Sequence, residues 1–288
     1  MTKIAAPDGT LLYVEETGSG TPVVFVHEFA GDHRSWEPQM RFFARSHRCV
    51  AFAARGYPPS DIPSDRTAYS QDIARGDVLA VMDALGIEKA HVVGHSMGAY
   101  TALHVGLVCP QRCLSVAALG CGWGMNSGPH DEMVRACEDI ARMFQNEPIE
   151  VAAANYARAP MRRTFQAKDP RGFAEFERQL AEHSGTGSAL TMLNIQLKRP
   201  SLSDLETRLR GFAVPLLVIV GDEDFPCIDG SLFLKRVVPT AALLVIPRAG
   251  HTITSEEPCA VNAALGELFN ATEAGCWMSH RGPSEGAG

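Results

Sequence analysis

The stretch Gly94-His95-Ser96-Met97-Gly98 lies between an apolar, β-branched run and a segment rich in helix formers. A serine at the apex of such a strand-to-helix turn has strained backbone angles and crowded neighbours. Glycine two positions to either side removes the side chains that would collide as the chain turns. The turn lifts the hydroxyl above the strand's carboxyl end and sets it at a helix N-terminus. There, free N–H groups and partial positive charge favour a developing anion. The stretch therefore requires a buried strand running directly into a helix.

The flanking sequence extends that requirement into a fold. Apolar runs at 10–15, 22–27, 48–53, 90–94 and 114–119 read as strands, and helical patterns fall between them at 35–45, 70–85 and 97–108. This alternation predicts an α/β fold, a mostly parallel doubly wound sheet with helices on both faces. After Gly120 it stops. Residues 123–212 are rich in Arg, Glu, Ala, Met and Gln and read as helices without strands. Strand character returns at 215–220 and 242–246, with helices near 230–237 and 256–270. The chain is thus divided into a core of 1–122 and 213–278, a helical insert at 123–212, and a polar, Gly- and Ser-containing tail at 279–288 expected to be flexible.

Composition limits the partners. The 288 residues carry a net charge of -7, which argues against nucleic-acid binding. No run approaches the roughly 20 apolar residues of a membrane helix, and the N-terminus lacks a signal-like apolar stretch. The eight cysteines are scattered, with no second Cys or His pair at zinc spacing beside Cys109 and Cys113. They read as reduced thiols of a cytoplasmic protein, with Cys121 and Cys227 near the presumed site. No metal or organic cofactor is expected.

A serine hydroxyl needs a base to become a nucleophile. Of ten histidines, His251 follows strand 242–246 in a loop, at the sheet edge where Ser96 emerges. The acid that orients the histidine should come from another strand end. Gly221-Asp222-Glu223-Asp224 offers three carboxylates there, and physics alone does not choose among them.

These features together resemble the α/β-hydrolase fold family, in its branch with a helical cap, over roughly 10–122 and 213–272. The order Ser, acid, His is the family order. The resemblance selects Asp224, the last residue of a G-x-x-D turn, with Asp222 as the alternative, and marks His251 as the base. It implies an oxyanion hole of two backbone N–H groups, from Met97 after the nucleophile and from Phe29 after strand 22–27.

Two departures stand out. The family loop reads H-G-x, whereas here it is His27-Glu28-Phe29. Glu28 either points away from the site, or it orders a water or recognises a donor on the substrate. His27 is expected to bond within its own loop. In place of D-x-R-G-x-G-x-S the chain has Ala53-Ala54-Arg55-Gly56-Tyr57-Pro58-Pro59-Ser60, which leaves Arg55 as a structural ion-pair residue.

The cap would line the substrate pocket, with Trp123, Tyr156 and Met161 as lining residues together with Glu28. Met125, Met143, Phe144, Phe165 and Met192 are candidates for either pocket or cap core. Arg158, Arg162 and Arg163 read as a solvated helix face or as ligands of a substrate carboxylate. The resulting expectation is a serine hydrolase that cleaves a carboxylic ester or lactone through an acyl-enzyme. The competing readings are hydrolysis of a carbon–carbon bond in a vinylogous diketone, a perhydrolase or an amidase on the same triad, and a ligand-binding protein on a hydrolase scaffold. Dehalogenase and epoxide hydrolase relatives use an aspartate where this elbow has Ser96. The partner is a small molecule, neither nucleic acid nor membrane, and the apolar cap leaves room for a homodimer.

Overall fold

The computed structural model describes residues 2–125 and 131–277. Eight strands form one sheet: β1 (Thr2–Ala5), β2 (Leu11–Thr17), β3 (Thr21–Val26), β4 (His47–Phe52), β5 (Ala90–His95), β6 (Cys113–Leu119), β7 (Leu216–Gly221) and β8 (Ala241–Ile246). Their order is β1-β2-β4-β3-β5-β6-β7-β8. From β4 to β8 all neighbours are parallel, and the β1–β2 and β2–β4 pairs are antiparallel. The expected mostly parallel sheet is present. The sequence reading missed β1, a four-residue edge strand with one buried side chain.

The two faces follow from the period-2 geometry of strands. Val24, Val26, Val50, Phe52, Val92, Val116 and Val218 face one helical layer. That layer includes α2 (Gln71–Ala84) and α3 (Met97–Val108). Val23, Phe25, Ala51, Val93, Leu119 and Ile219 point the opposite way. They pack on Phe43 of α1 (Glu37–Phe43) and on Leu265, Leu268 and Phe269 near the C-terminus. Strands buried on both faces need continuous apolar runs, which is how they were legible.

Between β6 and β7 the described chain is helical: α4 (Asp131–Asn146), α5 (Ile149–Ala157), a 3-10 turn at Pro160–Arg162, α6 (Arg163–Lys168), α7 (Pro170–Leu180), α8 (Gly185–Thr191) and α9 (Glu206–Arg210). Phe144, Phe165, Phe173, Leu180 and Met192 bury together here, against Phe29, Tyr57 and Met97 of the sheet's loops. After β7 come α10 (Phe225–Val237), α11 (Ile253–Glu256) and α12 (Pro258–Glu273). Helix α10 begins five residues before the expected 230, because Pro226 in its first turn supplies a preset helical φ. The tail at 279–288 lies outside the described residues. No described helix is long and apolar enough to cross a membrane.

Arg55 takes the structural role expected of it. It is 2% exposed, makes a bidentate pair with Asp77 (2.6 and 2.7 Å), and reaches Asp8 at 2.6 Å. Burial raises the Asp77 carboxyl, and only the guanidinium opposes that rise. Arg55→Met would leave the Asp77 carboxylate buried and unpaired, at a cost of about 3–5 kcal/mol. Because the uncompensated carboxyl then binds a proton more readily folded than unfolded, the deficit should shrink as pH falls. Thermal melts of both proteins at pH 5 and pH 8 check this.

Candidate active site

Ser96 has φ 53° and ψ -111°, the left-handed strain anticipated for the apex of the turn. Its N–H donates to the Leu119 carbonyl at 2.7 Å, which ties the turn to β6. The two glycines are sterically required. A Cβ on Gly98 would lie 2.0 Å from the Val26 carbonyl oxygen, and one on Gly94 would lie 2.1 Å from that of Gly98. Helix α3 starts at Met97, so the Ser96 hydroxyl sits over its N-terminus.

The parallel register brings the loops after β3, β5, β7 and β8 to one edge of the sheet. His251, after β8, places Nε2 2.9 Å from Ser96 Oγ. Its Nδ1 lies 2.7 Å from Oδ2 of Asp224, after β7. A carboxylate only accepts, so Nδ1 carries the proton and Nε2 presents a lone pair to the serine hydroxyl. Asp224 occupies the N-cap position of α10 but makes no capping bond, and its Oδ2 accepts from His251 instead. Asp222 instead accepts from the Ala249 N–H and has no contact with the histidine. Of the three acids, the geometry joins Asp224 to Ser96 and His251.

His251 is fixed on its backbone as well. Its N–H donates to the Met161 carbonyl of the helical insert at 2.9 Å, and its carbonyl accepts from His95 Nε2 at 2.7 Å. Burial pushes the imidazole down, but the nearby carboxylates, Asp224 first, outweigh it and hold the ring above the ordinary histidine value. Burial would raise the Asp224 carboxyl, yet His251 holds it below the usual range. Cys227 Sγ lies 3.8 Å from His251 Nδ1 and donates to the Gly120 carbonyl. Burial pushes its thiol far up and that of Cys121 to about 12, so both are neutral hydrophobes. None of the eight cysteines is paired.

Phe29 follows β3 and is 2% exposed. Neither its backbone N–H nor that of Met97 donates to a protein acceptor among the described residues. Met97 directly follows Ser96 at the start of α3, and Phe29 lies in the loop after β3 at the same sheet edge. His27 bonds within its loop region as expected, Nδ1–H to the Glu28 carbonyl, with Nε2 accepting from Ala54 N–H.

Glu28 and Arg162 sit differently from what the sequence suggested. Glu28 is 2% exposed and does not point away. Arg162 is no part of a solvated face, being 1% exposed and donating to Glu28 Oε2 at 2.5 Å. Arg158 and Arg163 do lie outside, Arg158 paired with Glu177. A cavity of about 350 Å³ opens on Ser96, His251 and Cys227, with Trp123, Met143, Tyr156 and Met161 among its walls. Three of the four residues expected at the pocket line it. Glu28 does not line it, and its carboxylate pairs with Arg162 instead. Phe144, Phe165 and Met192 belong to the insert's buried core instead.

Two clusters of potential metal ligands occur among the described residues, Glu28/His95/His251 and Asp224/Cys227/His251. In both, His251 is already engaged by Asp224 and Ser96, and in the first Glu28 Oε2 accepts from Arg162.

The family profile described as alpha/beta hydrolase fold matches residues 21–258. The dihydrolipoyllysine-residue acetyltransferase component of the acetoin cleaving system from Pseudomonas putida is 31% identical over 89% of this chain, which spans 66% of that protein's length. The enol-lactonase from Burkholderia xenovorans superposes with a TM-score of 0.82 at 21% identity, covering 93% of this chain and all of that one. At that identity the likeness shows the fold. Est816, an N-acyl homoserine lactone degrading enzyme, superposes with a TM-score of 0.74 at 26% identity, covering 92% of this chain and 99% of that one.

The contacts of Asp222 and Asp224 predict unequal substitutions. Asp224→Asn should slow labelling of Ser96 by a fluorophosphonate by on the order of 10³–10⁴-fold, since the imidazole loses its orienting acceptor. Asp222→Asn should change the rate by less than about threefold. The second-order labelling rates of the two variants decide it.

Proposed function

Because the chain belongs to the alpha/beta hydrolase fold family, we propose that it is a serine hydrolase that cleaves a carboxylic ester or lactone through an acyl-enzyme. The carrying observation is the unbroken hydrogen-bond chain Asp224–His251–Ser96, which opens on an apolar cavity of about 350 Å³. A cavity of this size lies within the usual range for small-molecule sites.

In this reading Ser96 Oγ attacks the carbonyl carbon as its proton moves to His251 Nε2. Asp224 stabilises the imidazolium through Nδ1–H. The tetrahedral oxyanion accepts from the Phe29 and Met97 N–H groups, aided by the N-terminus of α3. When the intermediate collapses, the carbon–oxygen bond to the alcohol breaks and Nε2 returns the proton to the leaving oxygen. A water then attacks the acyl-enzyme by the same route, with Nε2 as base, and releases the acid and Ser96. For a lactone, alcohol and acid remain one molecule. Est816 degrades a lactone, which supports including that substrate class. The chain's own residues supply the first nucleophile, the base and the oxyanion donors in this scheme, and water supplies the second nucleophile.

Trp123, Met143 and Met161 give the acyl or alcohol group apolar walls, with the helical insert acting as a cap over the nucleophile. A compact acyl group should fit this cavity and a long one should not.

The test is turnover of p-nitrophenyl esters of increasing acyl length by wild type and Ser96→Ala. Wild type should turn over short and medium esters and lose rate as the chain outgrows the cavity. The variant should be slower by at least about 10³-fold. Equal rates in both proteins would remove Ser96 from the mechanism. Cleavage of a vinylogous diketone without any ester turnover would replace ester hydrolysis by carbon–carbon bond hydrolysis.

A further inference from the structure

Glu28 stands where the resembling family's loop has glycine, directly before the Phe29 N–H. A buried carboxylate at this place is costly in two ways. Desolvation alone disfavours the charged form in a protein interior. Its charge would also oppose an oxyanion forming beside it. The chain meets both costs with one residue from 134 positions away, since Arg162 Nη2 donates to Glu28 Oε2 at 2.5 Å. The guanidinium lies 5.2 Å from the Tyr156 ring centroid and 5.3 Å from that of Phe176, fixed between two insert helices. The adjacent Met161 carbonyl accepts the His251 N–H. One turn of the insert thus grips both the oxyanion loop and the histidine loop.

The carboxylate also faces the histidines. Its oxygens lie 3.9 Å from His251 Nε2 and 3.9 Å from His95 Nδ1. His95 uses Nε2–H for the His251 carbonyl, so as a neutral ring it offers Glu28 a lone pair and no proton. Burial pushes His95 down to about 4, and it stays neutral at neutral pH. Arg162 is therefore the cation that holds Glu28 ionised, against a burial that would raise its carboxyl.

We infer that Glu28 and Arg162 are a positioning pair for the acyl-transfer reaction: Arg162 locks the insert's Pro160–Arg162 turn to the loop carrying the Phe29 N–H, while Glu28 holds a second negative charge against the edge of His251 that faces Ser96. The inference rests on the function proposed above. As Nε2 takes the serine proton, the imidazolium then lies between two carboxylates, Asp224 at Nδ1 and Glu28 near Nε2. Neither member of the pair touches substrate, and both act through His251 and the loop.

The groups facing His251 are Asp224 after β7, Cys227 on α10, His95 on β5, Glu28 after β3 and Arg162 from the insert. Cys227 and His95 are neutral, Asp224 and Glu28 favour the protonated ring, and Arg162 opposes it more weakly than Glu28 supports it. The active base is neutral, so activity rises with pH through the His251 titration. Removing the Glu28 charge should move that acid limb to lower pH.

The experiment is the pH profile of kcat and kcat/KM for Glu28→Gln, whose amide oxygen still accepts from Arg162 and so keeps the tether. The acid limb should shift down by about one unit, with kcat about tenfold lower and KM within about twofold. If the single variant fails to fold, Glu28→Gln/Arg162→Met removes the pair together and should give a smaller shift of the same sign. A folded variant with an unmoved limb would overturn the inference and leave the pair a structural brace. NMR titration of His251 in Ser96→Ala, with and without Glu28→Gln, reads the same shift without any turnover. An unmoved titration there overturns the pair's role independently of the esterase reading. Absent ester turnover with a moved titration would count against that reading while upholding the charge on His251.

Discussion

His251 is held from four directions, by three separate parts of the chain. Asp224 after β7 takes its Nδ1–H, Ser96 after β5 meets its Nε2, Met161 of the insert accepts its N–H, and His95 donates to its carbonyl. A ring so constrained has one tautomer and one orientation, which is what a proton shuttle between fixed atoms needs. These bonds can form together only if the parallel strands end in step. The register that aligns β5, β6, β7 and β8 is therefore what the site stands on. The close approach of Gly98 to the Val26 carbonyl shows how little tolerance that alignment leaves.

Buried charge is handled by local pairing throughout. Arg55 answers Asp77 under the loop after β4, Arg162 answers Glu28, and Asp32 is met by Arg34 and His183. Burial would raise the Asp32 carboxyl, but the His183 and Arg34 bonds hold it far below the usual range. Two of these pairs, Glu28–Arg162 and Asp32–His183, join the helical insert to the loop after β3. The insert is thereby coupled to that loop through polar pairing as well as through the apolar contacts of Phe29 with Phe144 and Tyr156. Such pairs add little net stability but penalise any packing that separates them. They favour one seat for the insert over the sheet edge.

What could be read from the sequence follows from the range of the forces involved. The elbow at Ser96 was legible because its strain demands glycine at fixed short spacing. The parallel strands were legible because burial on both faces leaves unbroken apolar runs. Choosing Asp224 over Asp222 needed the family resemblance, since three neighbouring carboxylates look alike until α10 is seen to begin at Phe225 and aim Asp224 at His251. The orientation of Glu28 and the burial of Arg162 were not readable. Their partnership spans 134 residues and depends on how the insert packs, and a lone Arg in an Arg-Arg pair looks like a surface. β1 was missed because an exposed four-residue edge strand carries almost no periodic signal.

The central claim is that Ser96 forms a covalent acyl intermediate with His251 as its base. It is tested most directly by rapid quenching of the protein with a stoichiometric excess of an activated ester, followed by mass spectrometry of the peptide containing Ser96. The account predicts a burst of alcohol close to one equivalent per chain and a mass increase of one acyl group on Ser96. Steady turnover with no burst, an unmodified Ser96 and an undiminished rate in Ser96→Ala would contradict it.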